Sequence, residues 1–160
     1  VAQMFRQHGI ENFMIEIGGE VVTSGLSPKG KPWRIGVNKP QEDSTSTNNE
    51  LQTILQMKNC AMATSGNYRN FYINNGRKIA HTIDPKTGYP VQHSILSSTV
   101  IAPTCAVADA YATSFMVLGL EKSLQVLDKH PELMAYFIFA DKDGNYQVWK
   151  SPGIEALIAQ

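Results

Sequence analysis

The chain has 160 residues, enough for one domain or for part of a larger one. Its 14 basic and 14 acidic residues cancel, which argues against a nucleic-acid binder, whose Lys and Arg are in excess on one face. No run of about 18 apolar residues occurs, so nothing reads as a membrane-spanning helix, while 42% hydrophobic residues suffice for a core.

The chain opens on Val1 in what reads as mid-helix. No signal peptide is visible, and the expectation is a trimmed chain or a proteolytic fragment. Val1, Met4, Phe5 and His8 share a helical face, and Gly9 stands where a C-terminal glycine belongs. Phe13 to Ile17 alternates and predicts a strand, followed by Gly18-Gly19 and a second strand from Glu20 to Ser24. The two glycines read either as a plain turn or bulge, or as a place where backbone comes close to a ligand.

A turn from Ser24 to Lys31 leads to a strand from Trp33 to Asn38, with Trp33, Ile35 and Val37 on one side. Pro40 to Glu50 is polar and reads as an exposed loop. Strands are predicted for Leu51 to Met57, Ala61 to Ser65 and Phe71 to Ile73. Asn74-Asn75-Gly76 is a hairpin signal, and the returning strand runs from Lys78 to Ile83.

Ile95 to Ala102 is rich in β-branched residues and predicts another strand. Thr104 is the expected N-cap of a helix ending at Gly119. A second helix covers about Glu121 to Lys129 and stops at His130-Pro131. Leu133 to Ala140 and Tyr146 to Lys150 form a hairpin around Asp141-Lys142-Asp143-Gly144-Asn145, and a short helix closes the chain around Ile154 to Ala159. The pattern has eight or nine strands and three or four helices without strand–helix alternation. That predicts an α+β fold, mainly antiparallel sheet with helices packed on one side.

Chemistry concentrates in two places. The first is His81-Thr82-Ile83-Asp84-Pro85-Lys86-Thr87-Gly88. Asp84 and Pro85 make good turn residues, so Asp84 reads as structural. His81 is either a satisfied structural histidine or a group that donates to phosphate oxygens and takes a proton from a hydroxyl. The second is the helix after Thr104. Asp109 and Thr113 lie four apart and share a face. Such a pair can hold a hard cation such as Mg2+, which keeps waters and borrows phosphate oxygens. Ala106, Ala108, Ala110 and Ala112 leave room for a ligand beside it. The alternative is an Asp favoured by the helix dipole and a Thr bonded to its own turn. Tyr68 and Arg69 read as a hairpin corner with a lesser chance of clamping a ligand, and His8, His93 and His130 receive no role. Cys60 and Cys105 lack zinc spacing and read as free, buried thiols, with a disulfide as the alternative. No phosphate-binding Gly-x-x-x-x-Gly-Lys loop, Gly-x-Ser-x-Gly elbow or His-Glu-x-x-His helix is present.

Taken in order, the motifs resemble the ApbE family, the FAD:protein FMN transferases. They are Glu16-Ile17-Gly18-Gly19-Glu20, Ser24-Gly25, Pro32-Trp33-Arg34-Ile35-Gly36-Val37 and Ala63-Thr64-Ser65-Gly66-Asn67-Tyr68. After these come His81 through Pro90, Ala102-Pro103-Thr104 with Asp109-Ala110-Tyr111-Ala112-Thr113, and Val117-Leu118-Gly119. The resemblance implies FAD as substrate, its pyrophosphate cleaved, FMN transferred to a Ser or Thr hydroxyl of a target flavoprotein such as a membrane redox-complex subunit, and AMP released. It implies Asp109 and Thr113 as Mg2+ ligands, His81 and Asp109 as catalytic residues, and His81 and Ile83 as contacts to the flavin nucleotide. It further implies that residues 1–160 are the C-terminal portion of the family's domain. The N-terminal half, with an Ala-Lys-Gly segment that adds a metal contact, would be absent and the fragment inactive alone. A periplasmic, lipid-anchored location is the family's habit. The competing readings are an FAD pyrophosphatase giving FMN and AMP, and a non-catalytic flavin-binding domain.

Overall fold

The computed structural model describes residues 1–40, 50–67, 71–74, 77–80, 82–91 and 93–159, with backbone alone for 71–74 and 77–80. Ten strands and four helices lie within the described residues. Their centre is a six-stranded sheet in the order β1-β2-β5-β8-β9-β10, antiparallel at every step. Its strands are Phe13–Ile17 (β1), Glu20–Ser24 (β2), Ala61–Gly66 (β5), Ile95–Ala102 (β8), Met134–Ala140 (β9) and Tyr146–Lys150 (β10). Chain order and sheet order agree once three excursions are set aside. One is the ribbon of Trp33–Asn38 (β3) and Leu51–Met57 (β4) between β2 and β5. Another is the hairpin of Phe71–Asn74 (β6) and Arg77–Ala80 (β7) between β5 and β8. The third is the helix pair Cys105–Leu118 (α2) and Leu120–Leu127 (α3) between β8 and β9.

Alternation along the central strands sends side chains to two faces, and each face has its own core. Ala63, Val100, Ala102, Ala135 and Phe137 pack under Ala108, Ala112 and Phe115 of α2 and Leu127 of α3. Met62, Ile101, Tyr136 and Ile138 pack against Ile35, Val37, Leu55 and Met57 of the ribbon, together with Ile154. The α+β reading holds, with the two long helices on one face. The opposite face is closed by the ribbon, a layer that the strand pattern does not reveal.

The strand bounds follow the sequence closely, because each strand ends where turn chemistry begins. Ile17 and Glu20 pair directly across Gly18 and Gly19. Both glycines have positive φ, 70° and 105°, as a tight two-residue hairpin with right-handed strand twist requires. Asn74 pairs with Arg77 across the predicted hairpin; Asn75 and Gly76 themselves lie outside the described residues, as does 41–49 of the polar loop.

Three elements differ by more than one residue at an end. The strand expected from Lys78 to Ile83 runs only over Arg77–Ala80, and Ile83 instead forms an isolated bridge to Pro90. The second long helix runs from Leu120 to Leu127, beginning directly after Gly119 (φ 76°). The closing helix is a single turn, Pro152–Glu155, with proline at its first position. Beyond it the backbone turns to β4: the Gln56 amide donates to Leu157 O and the Ala159 amide to Ile54 O. Sheet bonding to β4 wins over helix propagation there. Among the described residues no helix is long and apolar enough to cross a membrane.

Candidate functional site

Helix α2 is fixed at both ends. The Thr104 hydroxyl accepts from the Val107 amide at 3.3 Å, the predicted N-cap bond. At the other end His93 reaches over from the loop before β8. Its Nδ1 accepts from the Ile95 amide at 3.2 Å, which makes Nε2 the donor to Met116 O. A carbonyl of the last turn, which has no partner within its helix, is satisfied in this way. Ala108, Ala112 and Phe115, each fully buried, form the face that rests on the sheet. The two alanines let the helix lie close to β5 and β8.

Asp109 and Thr113 follow those alanines by one position, so they flank the buried face and both are exposed. Thr113 does not bond its own turn. Its Oγ1 lies 2.9 Å from Ser65 Oγ on β5. Among the described residues the Asp109 carboxylate has no hydrogen-bond or ion-pair partner. The pair therefore offers one free carboxylate and one hydroxyl on one open face, both hard oxygen donors. No group of three or more His, Cys, Asp or Glu side chains comes together among the described residues. A donor set this small fits a cation that keeps most of its water and takes further oxygens from a phosphate.

The end of β5 also reaches the second cluster. Asn67, two residues beyond Ser65, is buried and accepts from the Thr82 hydroxyl at 2.7 Å. Its amide donates to Leu96 O and extends the β5–β8 ladder by one bond. Residues 82–91 then close on themselves. Asp84 Oδ1 accepts from the Lys86 amide at 2.8 Å, the Gly88 amide donates to Asp84 O, and Val91 and Thr82 bond across the base. Asp84 is thus the turn residue that the sequence predicts. Ile83 is half exposed at the surface of this loop. His81, Tyr68 and Arg69 lie outside the described residues.

The stretch Ser65-Gly66-Asn67 is what pattern reading missed. The predicted strand stops at Ser65, yet this stretch ties the helix bearing Asp109 and Thr113 to the loop bearing Ile83. The available signal was a strand whose last alternate positions are Ser and Asn rather than apolar residues. His130, to which the sequence assigned no role, also has partners. Its Nδ1 lies 2.9 Å from Glu132 Oε1, and its Nε2 lies 3.3 Å from the Tyr111 hydroxyl on α2. A backbone amide and the His130 ring hold the Glu132 carboxyl below its ordinary range.

Gly18 and Gly19 form a turn, and they also border a cleft of about 770 Å³ between the central sheet and the ribbon, lined in addition by Glu16, Arg34, Thr64 and Gly66. Thr64 and Ser65 are neighbours that point to opposite faces of β5, so this cleft opens on the side away from α2. Cys60 and Cys105 are free and half-buried. Burial first, then the Glu20 carboxylate, pushes the Cys105 thiol up despite its place at the start of α2.

Comparison with known proteins settles the family. The ApbE family model matches residues 1–137. The chain belongs to the ApbE family. It is 40% identical over 158 residues to an FAD:protein FMN transferase of Klebsiella pneumoniae, covering 99% of this chain and 43% of that protein. It is 42% identical over 144 residues to one of Haemophilus influenzae, covering 90% of this chain and 40% of that protein. Among solved structures, the flavin transferase ApbE from Vibrio cholerae superposes with a TM-score of 0.80 at 34% identity, over 98% of this chain and 47% of that one. The apo Pseudomonas stutzeri flavinyl transferase ApbE gives 0.80 at 30%, over 98% and 46%. The chain thus spans less than half the length of these relatives.

Proposed function

We propose that this chain forms part of a Mg2+-dependent flavin transferase that moves FMN from FAD to a Ser or Thr hydroxyl of an acceptor protein. The observation that carries the reading is the exposed Asp109–Thr113 pair, its hydroxyl paired with Ser65 on β5 and its carboxylate free among the described residues. The names of the relatives supply the substrate.

In this reading the acceptor hydroxyl oxygen forms a bond to the FMN phosphorus. The pyrophosphate P–O bond to the adenylate half breaks, AMP leaves, and the hydroxyl proton passes to a base. His81 is the candidate for that base, as a neutral imidazole suits the task near pH 7. Asp109 and Thr113 would hold the Mg2+, which when bound neutralises pyrophosphate charge. Ile83, at the surface of the 82–91 loop, would contact the flavin nucleotide. The Asn67–Thr82 bond fixes that loop to the strand that also anchors Thr113.

The test is a product balance, run with a protein of the relatives' length carrying this chain, FAD, Mg2+ and an acceptor protein. The proposal expects AMP to appear in step with acceptor-bound FMN and little free FMN. Equal amounts of free AMP and free FMN, with the acceptor unmodified, would instead assign an FAD pyrophosphatase.

A further inference from the structure

We propose that Ser65 is a positioning residue that aims the Thr113 hydroxyl at a bound divalent cation. The inference rests on the reading of Asp109 and Thr113 as the cation's ligands.

A threonine inside a helix ordinarily donates to the carbonyl four residues back, here that of Asp109. Thr113 does otherwise: its Oγ1 lies 2.9 Å from Ser65 Oγ, across 48 positions of sequence. A hydroxyl that binds a cation must present an oxygen lone pair to it and send its proton elsewhere. Ser65 Oγ is placed to take that proton. With a cation bound, Thr113 is then the donor, Ser65 the acceptor, and the free lone pair of Thr113 faces the exposed side it shares with Asp109. Without Ser65 the proton is left to the usual acceptor of a helical threonine, the carbonyl four residues back, and the hydroxyl turns to its own helix.

Ser65 is well founded for this task. It pairs directly with Ser98 on β8 within a six-residue register that runs from Ala61 to Gly66. It shares a sheet face with Ala63, which is buried in the core beneath α2. The fully buried Ala108 and Ala112 bring helix and strand close enough for two short hydroxyl side chains to meet. Larger residues at either alanine would part them.

The test is Mn2+ binding to a protein of the relatives' length carrying this chain, followed by electron paramagnetic resonance, with melting curves recorded alongside. S65A is expected to weaken Mn2+ binding about 10-fold, the lower end of what outer-sphere partners of metal ligands contribute. Its melting temperature should stay close to wild type. S65T, which restores a hydroxyl, should recover most of the affinity. In a T113V background S65A should cost nothing more, since the residue acts through Thr113. In a protein of the relatives' length, S65A should raise the Mg2+ concentration needed for half-maximal transfer and leave the saturated rate nearly unchanged. Wild-type affinity in S65A, or an equal loss with and without Thr113, overturns the inference while leaving the cation reading intact. Mn2+ binding that is absent from the wild type, or unchanged in both D109A and T113V, overturns the cation reading and the inference with it.

Discussion

Replacing Asp109 with Asn removes one negative charge from an exposed helix face and keeps the side chain's shape. The structure predicts almost no cost in stability. The carboxylate has no hydrogen-bond or ion-pair partner among the described residues. It also stands at the fifth position of α2, beyond the first turn where the helix dipole acts. Exposed substitutions of this kind stay within about 0.5 kcal/mol. Unfolding entropy of about 2.1 cal/mol/K per residue amounts to about 0.34 kcal/mol/K for 160 residues. The melting temperature should therefore move by less than about 2 °C. F115A on the same helix gives the contrast. Phe115 is fully buried and meets Phe137 edge-on at 5.4 Å. Its truncation should cost about 3–5 kcal/mol, or about 9–15 °C. Activity should rank the two the other way. A ligand to a cation that stabilises transferring phosphate is worth several kcal/mol, so D109N should lose about 100-fold or more in Mg2+-dependent transfer. The assays are differential scanning fluorimetry of this chain and initial-rate FMN transfer by a protein of the relatives' length carrying it. A D109N protein that melts more than about 5 °C low, or that transfers FMN at nearly the wild-type rate, would refute the reasoning.

Two further outcomes concern titrating groups. Asp141 caps the β9–β10 turn, accepting from the Asn145 and Asp143 amides and from the Gln147 side chain. The Gln147 bond first, then these amides, holds its carboxyl below the ordinary range. A lowered carboxyl stabilises the fold above its unfolded-state pKa and loses that contribution as pH falls through the folded-state value. The melting-temperature gap between wild type and D141A should thus be open at pH 7 and close toward pH 2; a gap that widens in acid would contradict the assignment. Cys105, raised by burial and by Glu20, should alkylate more slowly in the folded chain than in denaturant when measured in a C60S background at pH 8. Equal rates would mean that the thiol is not shielded.

Much of this fold was legible because its strands are short, alternating and bounded by glycine, asparagine and proline. Phe13–Ile17, Glu20–Ser24, Trp33–Asn38 and Ile95–Ala102 have the predicted ends, and each is followed by residues that cannot continue a ladder comfortably. Periodicity tells which face of an element is buried, and it does not tell against what. The burial of Ile35 and Val37 was therefore readable, whereas the ribbon's place over Met62 and Ile138 was not. The tail failed for a similar reason: local helix preference after Ile154 loses to amide bonds with β4, more than 90 residues earlier in the chain. At the site, the i, i+4 spacing put Asp109 and Thr113 on one face, and both are indeed exposed together. The choice between a back-bonded and an outward-turned Thr113 depended on Ser65, a partner 48 positions away that no local pattern announces.

The central claim is that this chain supplies the cation-holding helix of an enzyme that attaches FMN to protein. Intact-mass spectrometry of the acceptor tests it most directly. The acceptor is incubated with FAD, Mg2+ and a protein of the relatives' length carrying this chain, beside its D109A variant and a chelator control. The account predicts an FMN-sized mass gain that requires Mg2+ and disappears in D109A. An undiminished gain in D109A or with the chelator would contradict it.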